Sequence, residues 1–183
     1  MKIFKLSMVL LLVCAIVAGI LGVVDFVTRD KIAEQQALKT ARAYAAVLEA
    51  ENYEDVAFDA AAFPTIDNIA AADDKGHVVM STFSGAQGMI TMVVGVDNEL
   101  TCTGISITSH SETSGLGANA ASASEVGKNF RAQFVGQDMA LATTKTGGSI
   151  EIIAGATITT DAVVGAVAEC IAAVESIQGG KAA

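Results

Sequence analysis

The sequence reads Glu151-Ile152-Ile153-Ala154-Gly155-Ala156-Thr157-Ile158-Thr159-Thr160 where an apolar run gives way to a helical pattern. A strand that ends in a turn of small residues before a helix presents unpaired backbone N–H groups and the positive helix end to a phosphate. The threonines add hydroxyl groups at the same place. Taken alone, the stretch favours a simpler interpretation, in which Thr159 or Thr160 caps the helix and Gly155 forms a tight turn.

A second unusual stretch, Ser109-His-Ser-Glu-Thr-Ser-Gly-Leu-Gly117, follows a predicted strand and precedes a helical pattern from Ala121 to Phe130. Its glycines allow backbone N–H groups to approach a ring closely, Leu116 can cover an apolar face and Thr113 can hydrogen-bond a heteroatom. By itself it is more typical of a polar loop that ends in a helix cap. His110 alone suits a structural hydrogen bond better than a catalytic base.

Together these stretches resemble the family of RnfG and NqrC subunits of membrane redox complexes. The family's flavinylation motif is an acidic residue, two variable residues and Ser/Thr-Gly-Ala-Thr, which here corresponds to Glu151 through Thr157, with Glu151 for the usual Asp and Ala154 for Ser or Thr. The second stretch is similar to His-x-Glu-Thr-Pro-Gly-Leu-Gly, with Ser114 in place of proline. Phe130-Arg-Ala-Gln-Phe134 is similar to the family's Phe-x-x-Gln-Phe segment, although two phenylalanines at this spacing predict core packing.

The resemblance implies that Thr157 carries FMN through a phosphoester bond and performs no turnover itself. It also implies flavin contacts from the second stretch and from the residues around the attachment point, namely Glu112, Thr113, Leu116, Gly117, Gly155, Ala156 and Thr159. The attaching hydroxyl must attack a pyrophosphate, which normally requires metal-assisted charge neutralisation. The sequence has no carboxylate cluster or basic clamp for this, so we expect a separate ApbE-like flavin transferase.

Two further candidates have equally simple structural interpretations. Gly85 and Gly88 lie in Ser84-Gly-Ala-Gln-Gly88, which either approaches a ligand or is only a long hairpin loop. Lys145 either lies near the flavin phosphate or ends a strand in solvent.

The N-terminal stretch predicts a membrane anchor. Leu6 to Val24 is apolar apart from Ser7, and about 20 such residues cross a bilayer. Lys2 and Lys5 precede it, so the N-terminus is expected in the cytoplasm and the rest of the chain outside. A cleaved signal peptide is the alternative, but no small-x-small cleavage site follows the apolar core.

The remaining pattern predicts an α+β fold, with a transmembrane helix, a mixed or antiparallel sheet that binds FMN, and a C-terminal helix. We expect an anchor at 1–27, a helical neck at 28–54 and an extracytoplasmic domain at 55–183. The predicted strands are Gly76–Ser84, Met89–Asp97, Glu99–Thr108, Met139–Lys145 and the run into the threonine motif, and the last helix is Asp161–Ile177. Residues 55–74 predict irregular chain or short strands.

Composition excludes several other classes. The net charge of −9 argues against a nucleic-acid partner. Cys14, Cys102 and Cys170 have no zinc or disulfide spacing, and His77 and His110 are too few for a multi-histidine metal or haem site. No metal site is therefore expected.

The compact length favours RnfG over NqrC within the family. The resemblance then implies an electron relay in a complex that couples electron transfer between ferredoxin and NAD to ion movement, with membrane and iron–sulfur subunits and membrane lipid as partners. An NqrC-like subunit of a sodium-translocating quinone reductase is the related alternative. A pilin-like structural protein and an anchored ligand-binding domain without redox chemistry are alternatives of another class.

Overall fold

A computed structural model describes residues 2–181, with side chains for residues 4–179. The helices are α1 (Lys2–Val47), α2 (Glu125–Ala132) and α3 (Thr157–Lys181), with short 3-10 helices at Gly117–Ala121 and Thr144–Thr146. The strands are β1 (Tyr53–Asp55), β2 (Ile66–Ala72), β3 (Gly76–Ser84), β4 (Met89–Asp97) and β5 (Cys102–His110). The chain forms two compact units, with the boundary between Thr40 and Ala41.

The first unit consists of α1 up to Thr40, whose side chains are exposed over the apolar stretch. Its composition and length make it a candidate membrane span. Helix α3 is also long and apolar enough to qualify, but more than half of its most apolar window is buried inside the protein. We therefore assign α3 to the core of the second unit.

The second unit is built on a five-stranded antiparallel meander in the order β1-β2-β3-β4-β5. Strands β3 and β4 have the bounds that their alternating patterns predicted, and the segment at 55–74 contains irregular chain at 56–65 followed by the short strand β2. Strand β5 begins later than predicted because the Asp97 carboxylate holds the turn, accepting hydrogen bonds from the backbone N–H groups of Glu99 and Thr101, both at 2.9 Å. The α+β prediction is confirmed, with a wholly antiparallel sheet.

Both faces of the sheet are covered. Neighbouring residues of a strand point to opposite sides, so each central strand contributes to a core on both faces. On one face Val79, Met92 and Val94 pack in the larger core with α2 and α3. On the other face Val78 and Val93 pack against the last turns of α1. Phe130 and Phe134 lie in the larger core in an edge-to-face pair 5.3 Å apart, as their spacing predicted.

Two predictions about the segment before α3 are wrong. Residues 139–145 form no strand, because Asp138 Oδ1 accepts a hydrogen bond from the backbone N–H of Ala140 and turns the chain. The run into the threonine motif contributes a single parallel bridge, Thr143 to Ile150, and does not join the sheet. Helix α3 begins at Thr157 instead of Asp161, so Thr159 and Thr160 lie in its first turn and neither is its N-cap.

Candidate functional site

The start of α3 is shaped by a glycine turn and an internal hydroxyl. Gly155 has φ +73°, a left-handed conformation that glycine adopts without strain. The buried hydroxyl of Thr160 donates to the carbonyl of Ala156 at 2.9 Å and accepts from the N–H of Ile153 at 3.3 Å. These bonds hold the turn from inside, and Thr157 stands half-buried at the first helical position.

The turn at the start of α3 forms one wall of the site, and the loop after β5 forms a second. The N–H groups of Leu116 and Ala118 both donate to the carbonyl of Thr113, each at 3.2 Å, so the chain folds back before the first 3-10 helix. A Cβ added to Gly155 would lie 2.9 Å from Cδ2 of Leu116. The turn before α3 therefore packs closely against this loop.

Glu112 connects these two walls to a third, the loop between β3 and β4. Its Oε2 accepts a 2.7 Å hydrogen bond from the hydroxyl of Thr159, and its Oε1 accepts a 3.0 Å bond from the backbone N–H of Gln87. Burial by itself raises the pKa of this carboxyl. The hydrogen bonds from Thr159, Gln87 and Ala86 and the charge of His110 outweigh burial, so the pKa of Glu112 lies below its ordinary value.

These walls enclose an open cavity of about 400 Å³. This volume lies within the range of about 300–1,000 Å³ that small-molecule sites occupy. Thr157 stands on the cavity wall at the end of α3 where backbone N–H groups lack intrahelical partners. The cavity is lined by Ala86, Gln87, Glu112, Thr113, Leu116, Gly117, Gly155, Ala156, Thr157, Ile158 and Thr159.

The structure brings most of the predicted site residues together. The cavity lining includes Thr157, which was predicted to carry the flavin, its neighbours in the motif and the four residues chosen from the second stretch. Gly85 and Gly88 flank the lining residues Ala86 and Gln87, and the N–H of Gly85 donates to the carbonyl of Gly88 at 2.7 Å. Lys145 is exposed on the second 3-10 helix and does not line the cavity.

Sequence reasoning missed three lining residues, Ala86, Gln87 and Ile158. Each lies between two residues that the motifs did indicate, so a contiguous segment would have been the better prediction. The hydrogen bond from Gln87 to Glu112 had no signal in the sequence, because it joins a backbone N–H to a side chain 25 residues away.

The comparisons with known proteins agree with this geometry. The model of the FMN-binding domain matches residues 85–172, which include every residue of the cavity lining. The model of the RnfG N-terminal region matches residues 1–47, the same stretch that ends with α1. The second unit thus contains an FMN-binding domain.

Three relatives narrow the assignment. The chain is 30% identical to the G subunit of the ion-translocating oxidoreductase complex of Methanosarcina acetivorans, over 97% of both chains. It is 32% identical to the protein of the same name from Escherichia coli O157:H7, over 81% of this chain and 80% of the relative. It is 38% identical to the G subunit of the proton-translocating ferredoxin:NAD(+) oxidoreductase complex of Clostridium ljungdahlii, over 57% of this chain and 56% of the relative. The chain belongs to the RnfG family.

The cavity has features that suit FMN. The helix end of α3 offers N–H groups to a phosphate, and the hydroxyl of Thr157 stands at that end. Leu116 and Ile158 lie beside it as exposed apolar residues, with relative exposures of 43% and 67% respectively. A flavin combines the same two needs, because it joins an anionic phosphate to a flat and largely apolar ring system.

Proposed function

We propose that this chain is the FMN-carrying subunit of an Rnf-type complex and that the flavin is esterified to Thr157. One observation carries the proposal: the hydroxyl-bearing first residue of α3 shares a cavity with the loop from Glu112 to Gly117. The two stretches lie far apart in the chain, and each contains an independent sequence motif. Their meeting in one cavity supports a single cofactor site.

Each wall has a defined part in holding the cofactor. Thr157 would hold the phosphate covalently, with the backbone of Gly155 and Ala156 beside it. Leu116 and Ile158 would cover apolar ring surface, and Thr113 would offer a hydrogen bond. When bound, FMN supplies reversible one- and two-electron transfer, and the surrounding protein sets its potential.

The chain is expected to need a separate enzyme to attach the flavin. Among residues 4–179, whose side chains the structure describes, no group of three or more His, Cys, Asp or Glu side chains is placed to hold a metal ion. An ApbE-like flavin transferase would therefore supply the charge neutralisation that transfer from FAD requires. The Thr157 oxygen would form the new phosphoester bond to the FMN phosphate as the pyrophosphate bond of FAD breaks, so AMP would leave and the hydroxyl proton would be released.

The chain would act as a relay within a membrane complex. The apolar part of α1, with Lys2 and Lys5 before it, would anchor the chain in lipid with its N-terminus in the cytoplasm. The FMN-binding domain would then lie outside the cytoplasm. Electrons would pass between the flavin and neighbouring membrane and iron–sulfur subunits while the complex oxidises ferredoxin, reduces NAD and moves ions.

The test is the intact mass of the full chain produced together with a flavin transferase. The unaltered chain and Thr157→Ser should both gain the mass of one FMN less water, because both retain a hydroxyl at this position. Thr157→Ala should gain none. Full flavin mass on Thr157→Ala, or its absence from the unaltered chain, would contradict the proposal.

A further inference from the structure

Glu112 is a buried carboxylate whose hydrogen bonds come from uncharged groups. The residue is about nine-tenths buried, and its two carboxylate oxygens accept from the Thr159 hydroxyl and the Gln87 N–H. The ion pairs found in the described part of the chain join exposed groups on α1 and α2, and Glu112 is in none of them. A buried carboxylate without an ion pair is costly to maintain, so this one calls for an explanation.

We propose that Glu112 is a positioning residue that braces the three walls of the cavity and places a fixed negative charge beside the flavin, which lowers the flavin's reduction potential. This inference rests on the proposed function. It gives Glu112 a different role from the direct flavin contact that the family resemblance implies.

The bracing role follows from where the three partners lie. Thr159 belongs to the first turn of α3, Gln87 to the loop between β3 and β4, and Glu112 to the loop after β5. The two hydrogen bonds span 47 and 25 residues of chain. One side chain therefore links three walls that come from separate segments of the chain and holds them at fixed distances.

The glycines around the carboxylate show that its position is fixed. A Cβ added to Gly85 would run into Oε1 of Glu112, and a Cβ added to Gly117 would run into Oε2. The space on both sides is thus occupied by backbone, and each oxygen is already hydrogen-bonded. The carboxylate is therefore held in the cavity wall by close contact on both sides.

The electrostatic role follows from the donors. The hydrogen bonds from Thr159, Gln87 and Ala86, together with the charge of His110, outweigh the effect of burial and keep the pKa of Glu112 below its ordinary value, so the group is anionic at neutral pH. Addition of electrons to a nearby flavin increases negative charge, and a fixed anion in a partly desolvated wall opposes that change. The potential of the bound flavin is therefore lower with Glu112 than with an uncharged residue.

The first experiment compares two variants that each remove one negative charge near the start of α3. Glu112→Gln neutralises the braced carboxylate, whereas Asp161→Asn neutralises an exposed carboxylate that does not line the cavity. Full-length flavinylated proteins are titrated spectroelectrochemically in detergent. We expect a more positive midpoint potential for Glu112→Gln and a smaller change for Asp161→Asn. An unchanged potential in Glu112→Gln, or equal changes in both, would overturn the electrostatic role.

The second experiment needs no flavin. In full-length Thr157→Ala protein, amide hydrogen exchange at Gln87 should be at least about tenfold faster when Glu112→Met is added, because no side-chain oxygen remains to accept from the Gln87 N–H. Exchange there should be unchanged when Asp161→Asn is added. Unchanged exchange at Gln87 would overturn the bracing role. If Glu112→Gln does not fold, Glu112→Met replaces it in the first experiment, with the same direction expected because it also removes the negative charge. If Glu112→Met does not fold, Glu112→Ala replaces it in the second experiment. Unaltered protein without covalent flavin would contradict the proposed function and with it the electrostatic role, whereas the exchange result would still decide the bracing role.

Discussion

At the scale of single residues, the site depends on places where only hydrogen fits. Gly117 lies against both members of the Glu112–Thr159 hydrogen bond, and a Cβ there would stand 2.6 Å from the Thr159 hydroxyl oxygen. Gly155 adopts a left-handed turn that feeds the chain into α3. These glycines serve different needs, close approach in one case and backbone conformation in the other.

Gly117→Ala should therefore separate Glu112 from Thr159 and lower both stability and flavin content. We expect a loss of about 1–3 kcal/mol in the free energy of unfolding, the usual cost of an atom inserted into packed structure. Chemical denaturation and flavin content measure the two effects. Gly165→Ala is the control, because a Cβ there meets nothing within 4 Å and alanine favours a helix. An equal effect of the two substitutions would contradict the close approach at Gly117.

The lowered pKa of Glu112 predicts a pH dependence of stability. A carboxyl whose pKa is lower in the folded state stabilises the protein above its unfolded pKa, about 4.3, and loses this contribution as the pH falls through the folded pKa. The difference in melting temperature between unaltered protein and Glu112→Gln should thus be constant near neutral pH and shrink in acid below about pH 4.3. Thermal unfolding of flavin-free protein across this window measures it. A difference in melting temperature that grows on acidification would contradict a lowered pKa of Glu112 in the folded state.

At the scale of elements, the end of α1 packs on the sheet through a pair of glycines. Gly95 of β4 and Gly104 of β5 are partners in the register, and both face Val47, the last residue of α1. The hydroxyl of Thr103 donates to the Val47 carbonyl at 2.6 Å and so satisfies one of the free carbonyls of the helix end. Small residues here allow the helix end to approach the backbone of the sheet.

The two glycines should respond differently to the same substitution. A Cβ at Gly95 would stand 2.7 Å from the Val47 carbonyl oxygen, whereas one at Gly104 would be in ordinary contact, 3.5 Å from the Val47 Cα. We expect Gly95→Ala to destabilise the domain by about 1–3 kcal/mol and Gly104→Ala by about 0.5 kcal/mol or less. Urea denaturation measures both, and a larger effect at Gly104 would contradict this packing.

At the scale of the whole molecule, the proposed orientation can be tested with single cysteines. Cys102 and Cys170 are buried, and burial raises the pKa of Cys102 to about 12 and also raises that of Cys170, so both thiols stay protonated and slow to react. Cys14 is exposed within the apolar stretch of α1 and would be shielded by lipid. An added cysteine should therefore report its own side of the membrane.

Glu54→Cys should react with an impermeant maleimide in right-side-out membrane vesicles, because residue 54 is exposed on the domain proposed to lie outside. Lys5→Cys is the matched site before the apolar stretch and should react only in inverted vesicles. Gel analysis of labelled protein gives the readout. The reverse pattern would place the FMN-binding domain in the cytoplasm and contradict the proposed topology.

The sequence predicted well where a pattern is local. Alternation placed β3 and β4 with their observed bounds, and a run of apolar residues identified the candidate span in α1. It failed at residues 139–153, where β-branched residues suggested strands. A β-branched run fits buried extended chain as well as a strand, and the Asp138 turn decided between them.

The sequence alone determined the chemistry available to this protein: threonine hydroxyls beside a helical pattern, a glycine-rich polar loop, and a net negative charge on a chain that starts with an apolar stretch. Only the tertiary structure decided that α3 begins at Thr157, that Lys145 stays away from the cavity lining, and that Glu112 joins three walls. The physical reason is that hydrogen bonds across 25 and 47 residues depend on how the sheet and α3 pack, and no local pattern encodes those distances.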